Sequence, residues 1–250
     1  MIGMDIMTNG QSVLPIWETV TDAWSKVKGA KAQIWIVFII FGIAKLFEEY
    51  TCRHIYLSQF SFARILLAAI TIIFFLFSLF LSWGVLYLGI QRGVGKDIHY
   101  NMISNIFEVN LFLKMVGLYI LAALIFIPAC IIFFIPFLLK ESGFFIEHMQ
   151  ISTMVCFLSY ILSVWLFIYL AMRLYVCKAI VLDQKMNPWS AIKYSFQVTR
   201  SNAMRLFCLL IVNVVIFLIS IIPFGIGLIW FLPYFLVNYG VVYRKLVLSH

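Results

Sequence analysis

The chain has 250 residues, 64% hydrophobic and 11% charged, with a net charge of +8 and a mean hydropathy of +1.06. A soluble domain carries about 25% charged residues, and even a 300-residue fold leaves about a quarter of its unfolded surface exposed. These values exclude a cytoplasmic globular enzyme, a disordered chain and a disulfide-stapled secreted domain. They predict an all-α membrane protein in a single integral domain, 1–250, with the lipid bilayer as its solvent.

Residues 1–33 are mixed and amphipathic. They lack the short basic start, immediate apolar stretch and small-residue cleavage site of a signal peptide, so the first apolar run, from Ile34, is expected to stay in the mature chain. Trp17, Val20, Trp24 and Val27 recur at steps of three and four, which places an apolar stripe along a helix over 14–29. A crossing needs about 20 mostly apolar residues. The predicted spans are 32–47, 65–90, 111–135, 151–172, 206–223 and 227–243. Lys45 is expected to snorkel from the first, Pro128 and Pro136 to bend the third, and Pro223 to Gly227 to turn the chain between the fifth and sixth. The result is about six transmembrane helices in three hairpins.

Basic residues set the orientation. Of the 18 Lys and Arg, only Lys45, Arg53, Arg64 and Lys140 fall on one side of this layout. The positive-inside rule then puts both termini in the cytoplasm. No Lys/Arg-rich block occurs, so no nucleic-acid partner is expected. The five cysteines are scattered and read as free thiols packed as small hydrophobes.

The stripe of 14–29 has counterparts at 98–109 (Tyr100, Ile103, Phe107) and 188–201 (Trp189, Ile192, Phe196, Thr199). All three are expected to be interfacial amphipathic helices on the cytoplasmic leaflet. The even-numbered spans share Trp83 and Tyr87, Trp165 and Tyr169, and Trp230 and Tyr234, each pair four apart. They read either as an aromatic belt or as three copies of one unit, which would place a cavity between the even helices.

Tyr175 to Asp183, with Pro188 to Ala191, Tyr194, Ser195, Thr199, Arg200 and Val242 to Leu246, resembles the bacterial membrane proteins related to the membrane domain of glycerophosphodiester phosphodiesterases. The resemblance is clearest over 173–246 and fainter over 16–41. It implies a polytopic inner-membrane protein, and no phosphodiesterase activity, because the catalytic domain of those enzymes is a separate segment.

Three constellations carry chemistry. Glu48, Glu49 and Arg53 with His148 look like motifs of intramembrane CAAX-type glutamate proteases, where paired carboxylates and a histidine activate water. A later His-x-x-x-Asn is missing, however, and His54 stands where a glycine is usual. Glu48, Cys52, His54 and His148 are the alternative metal set, without the tight pairs of a zinc site; no metal or other cofactor is expected. Asn213 and Asn238, at similar depth on adjacent arms, either bond each other or, with Lys114, line a polar path. Asp183, the one acid of its loop, is expected to pair with Lys178 or Lys185. Arg173, Lys193, Arg200 and Arg205 flank helix ends where anionic phospholipid headgroups sit. The function this suggests is a non-enzymatic organiser of lipids, of a partner membrane protein or of a homo-oligomer. A transporter with a cavity between the even helices and a glutamate protease are the alternatives.

Overall fold

The structure is a computed structural model that describes residues 13–56, 61–141 and 149–248; the side chains of 54–56, 61–64, 139–141 and 149–152 are not among those described. Charge-free apolar runs must satisfy their own backbone groups in lipid, and a helix does so within one segment. The elements are α1 (Ile16–Lys26), α2 (Lys31–Tyr56), α3 (Ser61–Val94), a 3₁₀ segment (Tyr100–Ile106), α4 (Val109–Glu141), α5 (Met149–Arg173), α6 (Cys177–Gln184), α7 (Pro188–Val198), α8 (Ala203–Ile221), α9 (Leu228–Tyr243) and a π-helical turn (Arg244–Leu248). No strand occurs among the described residues.

Among the described residues four stretches are long and apolar enough to cross a membrane: Ile65–Val94, Val109–Leu138, Thr153–Gln184 and Ala203–Ile221. A fifth is added if α1 and α2, bent by 77° at their junction, count as one broken span. The bend is made at Gly29, whose φ of +88° suits a residue without Cβ. Arg92 of α3 holds it, donating to the carbonyls of Lys26 (3.0 Å) and Lys28 (2.7 Å).

Burial is concentrated toward one end of the long helices. The first half of α3 is largely exposed, whereas its second half, from Leu81, is mostly buried. Around that half gather Ile34 and Val37 of α2, Leu111 and Met115 of α4, and Tyr234, Val237 and Val241 of α9. At the other end, exposed apolar side chains such as Ile72, Phe134 and Phe157 suit hydrocarbon rather than water.

Helix α9 packs chiefly on α3, and small residues set the approach. A Cβ on Gly89 would fall 2.6 Å from the Leu236 carbonyl oxygen, and one on Gly93 2.3 Å from the Gly240 carbonyl carbon. The backbones thus touch along Gly89-x-x-x-Gly93, the spacing that brings membrane helices close. Gly93 lies one residue before α3 ends at Val94, so the close approach falls in its last turn. Both registers advance together, so α3 and α9 run in the same direction.

Three features differ from the sequence expectation, while α9 keeps the predicted bounds of 227–243 to within one residue. The segment expected as helix 98–109 is a 3₁₀ helix over Tyr100–Ile106: small polar side chains offer the backbone local alternatives, and the Ser104 hydroxyl donates to the Asn101 carbonyl. Residues 177–184, read as loop, form α6, and Cys177, Ala179, Ile180, Val181 and Leu182 are all buried. The 16 residues of α9 rise about 24 Å, short of a 30 Å hydrocarbon layer. Its first turn sits beside the start of α2, where Trp35 Nε1 donates to the Ile229 carbonyl at 3.0 Å and Lys31 Nζ lies 3.9 Å from the Trp230 ring centre. Finally, the three Trp–Tyr pairs occupy different surroundings: Trp83 is 2% exposed among Phe80, Phe112 and Tyr119, while Trp165 is 61% exposed.

Candidate functional site

Two clefts and five polar clusters among the described residues involve the candidate residues or their neighbours. The first cleft lies between α5 and α8. Trp165, Ile168, Tyr169, Met172 and Phe207 form its apolar wall, Arg200 and Ser201 its polar rim, and its volume is about 450 Å³. Trp165 and Tyr169 stack at 5.7 Å with rings 6° from parallel, as expected for aromatic residues one turn apart.

The cations around this cleft lack carboxylates. Between residues 149 and 248 the sequence holds one acid, Asp183. Arg173 is buried, its guanidinium 4.9 Å from the Phe196 ring, and its Nε has no hydrogen-bond partner. Lys193 Nζ rests 5.3 Å over Trp189. Arg205 donates to the Leu14 carbonyl at 3.1 Å, while Asn202 accepts from the Leu14 backbone N–H at 2.9 Å. None of Arg173, Lys193, Arg200 and Arg205 forms an ion pair among the described residues. The Arg173 carbonyl accepts from the Ser195 and Thr199 hydroxyls, which fixes α7 against the end of α5.

The second cleft, about 530 Å³, lies between α3, α4, the α5–α6 junction and α9. Its lining includes Leu86, Leu118, Phe126, Leu236, three alanines, three tyrosines and a single charged residue, Lys178. Lys178 Nζ lies 5.1 Å from the centre of the Tyr119 ring. Sequence reasoning placed a cavity between the even helices, and this one does touch α3, α5 and α9. Neither Asn213, Asn238 nor Lys114 lines it.

Those three residues go elsewhere. Asn213 Oδ1 accepts from Asn238 Nδ2 and from the Tyr234 hydroxyl, each at 3.0 Å, which ties α8 to α9. Lys114 donates to the Lys185 carbonyl at 2.7 Å, and Lys185 pairs with Glu108. Lys185 has a left-handed backbone (φ 51°), unusual for a residue with a Cβ, and these two contacts hold it. The Lys185 hydrogen bond and charge bring the Glu108 pKa below its ordinary value.

Asp183 pairs with neither lysine. It accepts from Gln91 Nε2 at 2.6 Å and from the Tyr243 hydroxyl at 2.8 Å, joining α6 to α3 and α9. The correction has a geometric cause: α6 is a buried helix, so Asp183 faces its neighbours across the fold, while Lys185 is drawn to Glu108. A further set of charges fastens α1. Asp22 pairs with Lys26 and Arg244, Glu18 with Lys245, and Lys26 donates to the Gly93 carbonyl at 2.8 Å. Burial lowers the Lys26 pKa from its usual value, Arg244 adds to the fall and Asp22 opposes it.

At the far end of α2, Glu48 pairs with Lys45 at 2.7 Å, and Glu49 and Arg53 are exposed. The His54 side chain and all of His148 lie outside the described residues. No three His, Cys, Asp or Glu among the described residues are grouped to hold a metal. Searches for a matching family model, a matching curated protein and a matching solved structure each found none.

Of the four cations named from the sequence, Arg200 lines the first cleft; the sequence reading did not single out Lys178 as a cavity residue, nor Gln91, Tyr243 and the Gly89–Gly93 seam. Gly89-x-x-x-Gly93 beside an apolar run was a visible signal for the seam. Nothing local in the sequence marks the other three.

Proposed function

We propose that this chain is an integral protein of the bacterial inner membrane that holds anionic phospholipid at the cytoplasmic leaflet through the face formed by α5, α7 and α8. The observation that carries the reading is an apolar cleft rimmed by Arg200, with Arg173, Lys193 and Arg205 on the helices α5, α7 and α8 of the same face and none of the four paired to an acid among the described residues. Acyl chains suit the Trp165–Phe207 wall and a phosphate suits the rim.

The proposed layout has six membrane segments in three hairpins, with α1 and α7 in the interface and both termini in the cytoplasm. The exposure of Trp17 at 73%, and of Trp189, supports a lipid-facing aromatic stripe. The short α8–α9 arm either crosses a locally thinned bilayer or turns back within it. Either path returns the chain to the side it left, so the termini still share a compartment. The resemblance over 173–246 implies the same kind of membrane.

Trp165 provides the assay in a background where Trp17, Trp24, Trp35, Trp189 and Trp230 are changed to Phe, with buried Trp83 as the remaining indole. Phosphatidylglycerol with brominated chains quenches a nearby indole, and the expected result is stronger quenching than by brominated phosphatidylcholine. Replacing Lys193, Arg200 and Arg205 with Gln together removes about 1 kcal/mol each, so the preference falls on the order of a hundredfold. Equal quenching by both lipids in the wild type, or an unchanged preference in the triple variant with its fold intact, overturns the reading.

A further inference from the structure

The second cleft has a different composition and a different cation. Its volume of about 530 Å³ falls within the roughly 300–1,000 Å³ of small-molecule sites. Ala122, Ala123 and Ala171 leave space that larger side chains would fill. Lys178 is the single charge in this apolar lining and has no acidic partner among the described residues. The nearest acid along its own helix, Asp183, is engaged by Gln91 and Tyr243 on other helices. Lys178 is exposed at the cleft, so its ammonium is open to an anionic group, and within the described fold its charge meets only the Tyr119 ring.

We propose that this cavity binds an anionic amphiphile, its acidic head on the Lys178 ammonium and its hydrocarbon tail among Leu86, Leu118, Phe126 and Leu236. The head chemistry, a carboxylate or phosphate on a hydrocarbon chain, is common to free fatty acids and to bilayer phospholipids. The site uses none of the cations around the α5–α8 cleft, so it stands or falls separately from the function proposed above.

The test is a native mass-spectrometry titration of the full chain in an uncharged detergent, with palmitate, phosphatidylglycerol and hexadecanol as probes. Palmitate and hexadecanol have the same chain length and differ in charge. At least one anion is expected to bind the wild type at least about tenfold more tightly than the alcohol does. Lys178→Gln is expected to weaken that anion about tenfold to a hundredfold, the range for a charged hydrogen bond, and to leave hexadecanol unchanged. Lys178 is exposed and makes no hydrogen bond within the described fold, so the substitution leaves the structure intact. A loss confined to palmitate assigns the site to single-chain acids, and a loss confined to phosphatidylglycerol assigns it to membrane lipid; either supports the proposal. The Lys193, Arg200 and Arg205 triple variant is expected to keep the Lys178-dependent binding. Three results overturn the proposal: no binding by either anion, equal binding of anion and alcohol, or an anion affinity indifferent to Lys178→Gln.

Discussion

Replacing Gly93 with alanine tests the contact on which the bundle is built. The new Cβ would lie 2.3 Å from the Gly240 carbonyl carbon, where ordinary contact begins near 3.4 Å. Both partners are backbone, so no side chain can swing away and the helices must part by about 1 Å. Overpacking of this kind destabilises by about 1–3 kcal/mol. Alanine in a helix interior returns roughly 0.5–1 kcal/mol relative to glycine. Gly42 isolates that second effect, because a Cβ there meets nothing within 4 Å. Unfolding in mixed micelles with rising dodecyl sulfate should therefore show Gly42→Ala at or above the wild type and Gly93→Ala about 1–2 kcal/mol below it. If Gly93→Ala matches Gly42→Ala, α3 and α9 do not meet through their backbones and the proposed seam is wrong.

Three further outcomes are expected. Asn213→Leu removes the acceptor of both Asn238 and Tyr234, so it should destabilise by about 1–3 kcal/mol, measured by the same titration; no change would dissolve the α8–α9 clasp. Asp183→Ala strands the Gln91 amide and the Tyr243 hydroxyl and should lower Tm, whereas Lys178→Gln should leave Tm unchanged, since Asp183 does not pair with Lys178. The Glu108 carboxyl is held below its ordinary pKa by Lys185, so its contribution is present at neutral pH and vanishes as pH falls through the folded value. Wild type and Glu108→Gln should accordingly differ in Tm at about pH 7 and converge near about pH 3; a gap that widens in acid would reverse the assignment.

Apolar run length was the most readable part of the sequence. The charge-free stretches inside α3, α4, α5 and α8 announce helices because lipid permits little else. The turn at 223–227 was equally plain, with Gly225 at φ +79° in its middle. Periodicity could not show that α6 is buried: eight residues with Lys178 and Asp183 among them read as a polar connection, and only the walls supplied by α3, α4, α7 and α9 make them core. Nor did it separate α from 3₁₀ geometry over Tyr100–Ile106, where small polar residues tip a close balance. Arg200 was legible as a cation at a helix boundary, although the apolar wall it borders, from α5 and α8, was not. Nor was the Lys178 cavity, since it is assembled from segments up to about 150 residues apart along the chain.

The placement of α9 has a consequence for how the molecule is made. The segment after residue 227 supplies the backbone that meets Gly93, the hydroxyl that reaches Asp183 and the cations that reach Asp22 and Glu18. All of those partners leave the ribosome earlier. Until the segment 228–248 is threaded in, a nascent chain holds an unclosed seam along α3 and a Glu18 without its lysine.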